Sequence, residues 1–595
     1  MGAGRQVDAE TEMDDDLART GFFHRLLYVA TPFFRSEQRL AAWGLLAVNV
    51  ITVLVIVAMN YALTVWNGSF FDAMQRYDVA EIWRLFGIFL GLAAMVVVIN
   101  TASQYFAQIF QIRWRRWMTG HMVDGWMDRE AHYRMQLDDR GIDNPDQRIS
   151  DDIDFFTGQT VNLPLSALQS VVTIVSFSVM LWLLSRNLRL FGLYIPGLLL
   201  WMNLIYAIGG TWLILLIGKP LFWLNNIQQR AQGNFRFELI RVRDNSEAIA
   251  TAHSGDAEAT RLKRTFAPVV EIFYRRVYRT VFVNTFNFSF NTLGGLLAFG
   301  LVIPSYLAKR ILIGTVSQTN NAFGQTQQAF AFILNNFSSI GQGYLSITEW
   351  RAVVDRLYTL EVSLRRHHAA ATAPRIAYAR GDEAGLAIEG LTLTLPDGRK
   401  LLEGLDIAIG PGERVLISGP TGSGKSTLVR AIAGIWPFGE GRVTMPAGRV
   451  LFVPQRPYLP NGKLIESIAF PYGEALEPAR VAAMLERVGL GHLAGRLEAE
   501  QAWDRELSLG EQQRIGFARC VLLRPEVVIL DEATSSLDED YEARMYRTLL
   551  DELPGVTLVS VGHRSTIIRY HARRLRLTGD GGWRVEALAA ETPAA

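Results

Sequence analysis

The nine residues Gly419-Pro-Thr-Gly-Ser-Gly-Lys-Ser-Thr427 form a complete P-loop motif, GPTGSGKST. The apolar run 414–418 before it is typical of a strand, and the run 428–432 after it is typical of a helix. The motif requires this strand–loop–helix context. In such a loop, backbone N–H groups surround phosphate oxygens, and the N-terminus of the following helix favours negative charge. The stretch therefore predicts an α/β domain that binds a nucleotide.

Every position of the P-loop is a candidate contact to the nucleotide. Lys425 would neutralise the β- and γ-phosphates, and the Ser426 hydroxyl would ligate Mg²⁺. The motif alone indicates only that a nucleotide binds. The candidates are Gly419, Pro420, Thr421, Gly422, Ser423, Gly424, Lys425, Ser426 and Thr427.

A second motif indicates hydrolysis. The run Val527-Val-Ile-Leu-Asp-Glu532 is a hydrophobic strand that ends in two carboxylates. We expect Asp531 to hold the metal and Glu532 to polarise the attacking water.

The composition of the whole chain indicates a membrane protein with more than one domain. A chain of 595 residues is too long for one hydrophobic core. Hydrophobic residues make up 49% of it, and the net charge of +1 argues against a nucleic-acid partner. The single cysteine, Cys520, excludes an internal disulfide and a cysteine metal cluster, and we expect it to be a small buried side chain.

Six uncharged stretches before residue 350 exceed the roughly 20 residues that cross a bilayer. Arginine and lysine concentrate in the two long segments after the second and fourth stretches, which places both segments and both termini in the cytoplasm. The stretches are Leu40–Phe71, Leu85–Ile112, Phe155–Ser185, Leu190–Gly218, Val281–Ala308 and Ile311–Thr348.

Four segments follow from these patterns. Residues 1–39 are predicted to be a cytoplasmic N-terminus whose amphipathic run Phe22–Phe34 lies at the membrane interface. Asp14, Asp15 and Asp16 argue against a signal peptide. Residues 40–358 are the predicted six-helix membrane domain, 359–385 a linker, and 386–595 the nucleotide-binding domain with a C-terminal tail.

Between the two ATPase motifs, Leu507-Ser-Leu-Gly-Glu-Gln-Gln513 resembles the signature of ABC ATPases. This resemblance implies that Ser508 and Gly510 contact the γ-phosphate held by the P-loop of a second subunit. It therefore implies a homodimer that sandwiches ATP, with the exporter-type membrane fold.

The other ABC elements follow in family order. By resemblance, Gln455 matches the Q-loop, which reaches Mg²⁺ or the attacking water and senses the membrane domain. Asp538 matches the D-loop, and His563 matches the switch histidine at the γ-phosphate. One position departs from the family: Leu395 stands where an aromatic residue commonly stacks on adenine.

The residues in and around these elements resemble the D subfamily of ABC proteins, which includes peroxisomal fatty-acyl transporters and bacterial relatives. The matching runs are Gly434-Ile-Trp-Pro437 and Pro454-Gln-Arg-Pro-Tyr458. Two further runs, Ile142-Asp-Asn-Pro-Asp-Gln-Arg148 and Asn245-Ser-Glu-Ala-Ile249, resemble loops of bacterial SbmA/BacA-like proteins. That group implies uptake of vitamin B12, bleomycin or antimicrobial peptides across the bacterial inner membrane; fatty-acyl-CoA or a lipid-like cargo is the alternative.

The last stretch has an unusual polar face. Of the 29 residues from 320 to 348, 13 are Asn, Gln, Ser or Thr. At about 100° per residue one face is polar and the other aromatic. Such a face must contact water or protein, so it indicates either a wet cavity for polar cargo or helix–helix hydrogen bonds. The face comprises Asn321, Gln325, Gln328, Asn335, Asn336, Ser339, Gln342 and Ser346, and Asn284, Asn287 and Asn291 form a similar face in the fifth stretch.

Two other classes of function stay open at this point. A soluble ABC ATPase acting on nucleic acid is disfavoured by the six apolar stretches, and an ATP-gated channel is disfavoured by intact Glu532 and His563. Within the transporter hypothesis, the ranges Asp143–Asp154 and Glu238–Glu247 are the expected surface that transmits nucleotide binding to the membrane helices.

Overall fold

The computed structural model describes residues 20–137, 144–189, 193–337, 342–372, 376–381 and 385–588. These residues form two compact units. The helical unit contains residues 20–123 and 144–361, and the α/β unit contains residues 124–137 and 362–588.

Long helices dominate the first part of the chain because their sequences contain long apolar stretches. Pro32, Pro164, Pro220, Pro268 and Pro304 lie inside these helices without ending them. The bounds of the helices are α1 Phe22–Arg35, α2 Arg39–Gln75, α3 Val79–Met127, α4 Ala131–Leu137, α5 Pro145–Gln147, α6 Ile153–Leu184, α7 Leu198–Asp244, α8 Ser246–Thr251, α9 Gly255–Leu307, α10 Ile313–Phe337 and α11 Gln342–Thr372. A π-type turn, Arg148–Asp152, joins α5 to α6.

Within the described ranges, five helical stretches are long and apolar enough to cross a bilayer, by length and composition. They correspond to the first five stretches predicted from the sequence. The sixth predicted stretch is divided between α10 and α11, and its amides and hydroxyls keep it below the same apolar threshold. A sixth crossing therefore stays a prediction. The five are Arg39–Gln75, Val79–Leu137, Pro145–Leu184, Leu198–Asp244 and Gly255–Leu307.

Helix α1 buries one of its faces inside the helical unit. Its Phe33 side chain is 1% exposed and stacks on Trp114 of α3, with ring centroids 5.3 Å apart. Its buried Arg25 pairs with Asp355 of α11 at 3.0 Å. The amphipathic pattern of this helix thus serves contacts with other helices, and its predicted place at the membrane interface stays a prediction.

Helices α2 and α10 cross very closely. A Cβ atom on Gly314 would lie 2.0 Å from the Gly68 carbonyl oxygen, so the crossing requires glycine. Side chains of α2 also cap the start of α10: the Asp72 carboxylate accepts the Gly314 N–H at 2.7 Å, and the Gln75 carbonyl accepts the Ile313 N–H at 2.7 Å. These bonds satisfy amides that a helix N-terminus otherwise leaves unpaired.

The α/β unit contains two main sheets. A six-stranded sheet has the order β12-β11-β4-β10-β9-β6 and is parallel except for β12, and a four-stranded sheet has the order β1-β5-β2-β3. The strands are β1 Ile376–Gly381, β2 Leu386–Thr394, β3 Lys400–Ile409, β4 Arg414–Ser418, β5 Gly439–Pro446, β6 Val450–Val453, β7 Gly462–Lys463, β8 Glu500–Gln501, β9 Val527–Asp531, β10 Thr557–Val561, β11 Arg573–Leu577 and β12 Trp583–Ala587.

Helices cover the six-stranded sheet on both faces, so its central strands are mostly apolar. One core lies between the two sheets and α12, and the other lies under α13, α14, α16 and α17. Cys520 is fully buried in the second core, as predicted. The helices are α12 Lys425–Ile432, α13 Leu464–Ala469, α14 Pro478–Arg487, α15 Trp503–Glu506, α16 Leu509–Leu523 and α17 Glu539–Glu552.

The segment 359–385, which the sequence suggested to be a linker, contains regular structure. Helix α11 continues through it to Thr372, and strand β1 begins at Ile376. Leu360 and Leu364 are 0% and 3% exposed, because they continue the apolar face of the helix at a spacing of four residues. Glu361 between them, and Arg365 and Arg366 after them, hid this periodicity.

Candidate functional site

The P-loop connects the end of β4 to the start of α12. Its Gly422 and Gly424 have φ angles of 81° and 92°, a region that favours glycine. The Ser423 hydroxyl is buried and has no hydrogen-bond partner among the described residues. A buried polar atom without a partner is costly, so this loop is suited to a ligand that supplies phosphate oxygens.

Lys425 lies over the same loop. Its ammonium group donates to the Gly419 carbonyl at 3.0 Å and to the Pro420 carbonyl at 2.9 Å. Burial lowers the pKa of Lys425, and the charges of Glu532 and Asp531 partly oppose that shift. An anionic ligand in the loop would stabilise the ammonium form.

Ser426 and Asp531 meet at the base of the loop. The Ser426 hydroxyl donates to the Asp531 carboxylate at 3.5 Å. Burial, followed by the nearby Glu532 charge, raises the pKa of Asp531. A hydroxyl and a carboxylate are hard oxygen ligands, which suit Mg²⁺ completed by phosphate oxygens and water. In the described part of the chain, no group of three or more His, Cys, Asp or Glu side chains could hold a metal by itself.

Glu532 follows β9 in an unusual backbone conformation. Its φ angle is 51°, in the left-handed region that glutamate rarely adopts, and its N–H donates to the Val561 carbonyl at 3.1 Å. This bond to the end of β10 helps to hold the turn. The His563 Nε2 atom lies 3.6 Å from a Glu532 carboxylate oxygen. The structure therefore brings together two residues that are 31 positions apart in the sequence.

Gln455 joins this group through a serine that the sequence analysis did not identify. Its amide donates to the Ser535 hydroxyl at 3.2 Å. The buried Gln513 amide also donates to that hydroxyl, at 3.0 Å, and to the Gln455 carbonyl at 2.8 Å. Gln513 thereby links the start of α16 to the segment that contains Gln455.

Arg564, the residue after His563, fixes the segment 534–538. It donates to the Leu537 carbonyl at 2.7 Å and to the Ser535 carbonyl at 3.0 Å. It also lies 3.5 Å from the buried carboxylate of Glu542, which accepts the Thr534 hydroxyl at 2.9 Å. Sequence reasoning missed Arg564 and Glu542; adjacency to His563 was the one available signal, and only for Arg564.

Asp538 caps the N-terminus of α17. Its carboxylate accepts the Tyr541 N–H at 2.7 Å. An N-cap aspartate typically contributes about 1 kcal/mol to helix stability. The geometry of this chain thus gives Asp538 a structural role at the end of the segment that Arg564 holds.

Ser508 and Gly510 begin α16. The Glu511 N–H donates to the Ser508 hydroxyl at 3.4 Å and the Ser508 N–H donates to the Glu511 carboxylate at 2.9 Å, which forms a capping box. The Ser508 hydroxyl also donates to the Glu511 carboxylate, at 2.7 Å. A Cβ atom on Gly510 would lie 3.3 Å from the Ser536 carbonyl. The exposed Ser508 side chain bonds only within its own helix turn, and the described contacts of both residues include no P-loop residue. Leu395, the residue at the expected adenine position, packs partly buried against the core between the sheets.

A separate polar cavity of about 410 Å³ lies in the helical unit, between α2, α3 and α10. Asn321, Gln325 and Gln328 of the predicted polar face line it, while Phe323 from the opposite face is buried in the helix core. In the fifth stretch, Asn284 and Asn291 are exposed on the single chain. The side chains of Asn335, Asn336, Ser339, Gln342 and Ser346 lie outside the described residues.

Comparisons with known proteins agree with both units. The family model "ABC transporter transmembrane region 2" matches residues 30–307, and the model "ABC transporter" matches residues 402–535. An uncharacterized ABC transporter ATP-binding protein of Haemophilus influenzae is 32% identical over 87% of this chain and 86% of its own length. The lysosomal cobalamin transporter ABCD4 of Homo sapiens is 27% identical over 96% of each chain.

The fold is that of a known transporter structure. A bacterial Atm1-family ABC exporter with ATP bound superposes with a TM-score of 0.66 at 18% identity, covering 91% of this chain and 94% of the other. The P-loop geometry, the apolar helices and these matches together establish the family. The chain is a multi-pass integral membrane protein that belongs to the ABC transporter family, with a transmembrane region and an ATP-binding domain in one polypeptide.

Proposed function

We propose that this chain is one half of a homodimer that hydrolyses ATP to import bulky hydrophilic solutes across the bacterial inner membrane. Cobalamin, bleomycin and peptides are the candidate cargoes. The amide-lined cavity between α2, α3 and α10 carries the proposal, because polar lining inside a membrane domain favours polar cargo over acyl chains. The human relative, a lysosomal cobalamin transporter, supports the same class of cargo.

The residues of the P-loop region would divide the work of ATP hydrolysis. Residues 419–427 hold the phosphate chain, with Lys425 moving from its two carbonyl partners to phosphate oxygens. Glu532 accepts a hydrogen bond from the attacking water and so directs that water's oxygen at the γ-phosphorus. His563, whose Nε2 atom is 3.6 Å from a Glu532 carboxylate oxygen, would donate to a γ-phosphate oxygen. Gln455 would link the state of this ATP site to the membrane domain.

Ser426, Asp531 and Gln455 would hold Mg²⁺, and the ion would supply positive charge against the phosphate oxygens. Ser508 and Gly510 would complete the site from a second subunit, as donors at a helix N-terminus. Asp538 would contact the nucleotide region of that partner through the end of its own loop.

Coupling to the membrane helices would pass through a charged cluster in the helical unit. The buried Asp152 carboxylate accepts from Arg356 Nε and Nη2 at 2.6 and 2.7 Å. The buried Arg148 guanidinium donates to the Arg356 carbonyl at 3.1 Å and to the Thr359 hydroxyl at 3.0 Å. These bonds fix the π-type turn, inside the predicted range Asp143–Asp154, to α11. The second predicted range, Glu238–Glu247, leads into α8, which exposes its surface on the single chain.

Asp152→Asn should uncouple transport from ATP hydrolysis. The change removes the charge of a bidentate pair and weakens the tie by about 1.5–3 kcal/mol. We expect cargo uptake in proteoliposomes to fall about tenfold, while ATP turnover without cargo persists. The neighbouring Asp151→Asn is the matched control, since Asp151 is exposed and, among the residues that the structure describes, its side chain bonds only to Ser150. Equal uptake by both variants would remove the Asp152–Arg356 pair from the coupling path.

The cargo proposal predicts the direction of a growth phenotype. Bacteria that express the intact chain should become more sensitive to bleomycin, because import delivers it to the cytoplasm. Gln325→Leu with Gln328→Leu should abolish most of this sensitivity and reduce bleomycin uptake about tenfold, since two amide contacts to polar cargo are lost. Insertion should be unaffected, because leucine suits the bilayer.

The control keeps the amides and shortens the side chains. Gln325→Asn with Gln328→Asn should retain most of the uptake if hydrogen bonding matters more than cavity size. Bleomycin resistance that depends on Glu532 would refute import. Unchanged uptake by the leucine variant would refute the cavity assignment, and ATP-dependent uptake of fatty-acyl-CoA instead would favour a lipid-like cargo.

A further inference from the structure

A second cavity, of about 630 Å³, lies in the α/β unit at the carboxyl ends of β4, β10 and β11. We call it the arginine cleft, after four of the residues that line it: Arg564, Arg574, Arg576 and Arg584. His563, Gly419 and Pro420 also border it. The cleft therefore begins at the P-loop and at the histidine of the proposed catalytic site.

The strand pattern explains why arginines gather there. Side chains alternate along a strand, so Arg574 and Arg576 project from the same face of β11. In the antiparallel pairing of β11 with β12, Arg576 lies opposite Arg584 and Arg574 lies opposite Glu586. Arg574 Nε donates to the Ser418 hydroxyl at 2.7 Å, and Ser418 is the residue immediately before the P-loop.

The cleft has an excess of positive charge. One carboxylate, Glu586, lines it with the four arginines, and one of the four, Arg564, already lies 3.5 Å from the buried Glu542 carboxylate. In the part of the chain that the structure describes, Arg576 and Arg584 form no side-chain hydrogen bond or ion pair. The pKa of Asp580 is lowered mainly by the Thr578 hydroxyl, and least by the charge of Arg584. A concave surface lined by one sign of charge concentrates counter-ions. Guanidinium groups suit phosphate in particular, because their donors match two of its oxygens.

We propose that the arginine cleft binds inorganic phosphate released from the γ-position of ATP. Hydrolysis breaks the bond between the γ-phosphorus and the bridging oxygen, and ADP remains in the P-loop while phosphate departs. The cleft shares His563, Gly419 and Pro420 with that site, so it offers the departing anion a charged surface next to the place of cleavage. The assignment rests on the proposed ATP hydrolysis at this site and adds to it a binding site for the product.

Direct binding of phosphate tests the assignment without hydrolysis or transport. The sample is the full chain carrying Lys425→Ala, purified in detergent. This substitution removes the P-loop lysine, which would otherwise bind phosphate as well. Equilibrium dialysis with radiolabelled inorganic phosphate should show that this protein still binds phosphate. Adding Arg576→Gln and Arg584→Gln should weaken the binding about tenfold or more, as expected for loss of charged hydrogen bonds.

The matched control is Arg480→Gln with Arg547→Gln, two exposed arginines of the same unit outside the cleft, which should leave phosphate binding unchanged. The assignment fails if Lys425→Ala alone abolishes phosphate binding, or if the cleft double variant binds as its parent does. Adding ADP to the dialysis tests whether the cleft binds free phosphate or the phosphate groups of a nucleotide. If ADP displaced phosphate from the cleft, the assignment of a site for free phosphate would be refuted. A chain that hydrolyses ATP yet fails this test would refute the cleft and leave the proposed function intact.

Discussion

Replacing Glu532 by glutamine should lower steady-state ATP turnover by about a hundred- to ten-thousand-fold, the range lost when a positioned acid–base group is removed. A carboxylate accepts a hydrogen bond from the attacking water and stabilises the positive charge that develops on it. An amide of the same shape does so far less well. Glutamine can adopt the same backbone position, which the Glu532 N–H bond to Val561 helps to hold.

The same variant should bind ATP and keep it bound. The P-loop, Lys425 and Ser426 are unchanged, so the affinity for nucleotide should persist, and the closed ATP-bound dimer should accumulate because hydrolysis no longer opens it. Turnover measured as phosphate release and occupancy measured as ATP retained after rapid gel filtration distinguish a loss of chemistry from a loss of binding.

The control for this variant is another carboxylate nearby in the sequence. Glu539 is exposed on the first turn of α17 and has no described contact with the P-loop. Glu539→Gln should therefore hydrolyse ATP at the rate of the intact chain. Full turnover by purified Glu532→Gln protein would remove Glu532 from its proposed role.

The local structure around the predicted ATP site followed from the sequence, because its motifs are short and each one requires particular neighbouring elements. The P-loop needs a strand before it and a helix after it, and β4 and α12 occupy those positions. Likewise Glu532 follows β9 and His563 follows β10, and because these strands are adjacent and parallel their carboxyl ends meet at one edge of the sheet.

The contacts that hold this site were not predictable in the same way. Arg564 and Glu542 are 22 positions apart, and only the packing of α17 beside β10 brings the buried carboxylate to the guanidinium. Gln513 looked like part of the motif around Ser508, yet its amide holds the Gln455 segment. Residues of this kind act through tertiary contacts, for which a local pattern gives no signal.

In the helical unit, uncharged stretches identified the apolar parts of five helices. The charged segment after the fourth stretch alternates charged and apolar residues, which predicts helical extensions beyond the membrane, and α7 does run on to Asp244 and α9 does begin at Gly255. The apolar period of α11 likewise continued beyond Tyr358 under charged residues. A charged residue ends the stretch that can lie in the bilayer core, but it does not end the helix, because the backbone hydrogen bonds form whatever the charge of the side chain.

The largest effect expected at the level of assembly concerns Ser508. In chains that all carry Glu532→Gln, so that bound ATP is not hydrolysed, Ser508→Arg should abolish ATP trapping in a homodimer, because a bulky cation replaces the donor that would meet the partner's γ-phosphate. Lys425→Ala should do the same from the other side of the site. A heterodimer of one Ser508→Arg chain and one Lys425→Ala chain, isolated through two different tags, should still trap one ATP. One of its two sites combines the intact P-loop of the Ser508→Arg chain with the intact Ser508 of the Lys425→Ala chain.

The opposite arrangement of the same two changes provides the decisive control. When one chain carries both Ser508→Arg and Lys425→Ala and its partner carries neither, a shared-site dimer has one defect in each site and should trap no ATP. If each site were formed within a single chain, the first heterodimer would trap no ATP, because each of its chains has a defect. The second heterodimer would trap one ATP, in the chain that carries neither change. The exposed Ser508, whose side-chain partner in its own chain is Glu511, favours the shared arrangement. Trapping by the second heterodimer and not by the first would refute it.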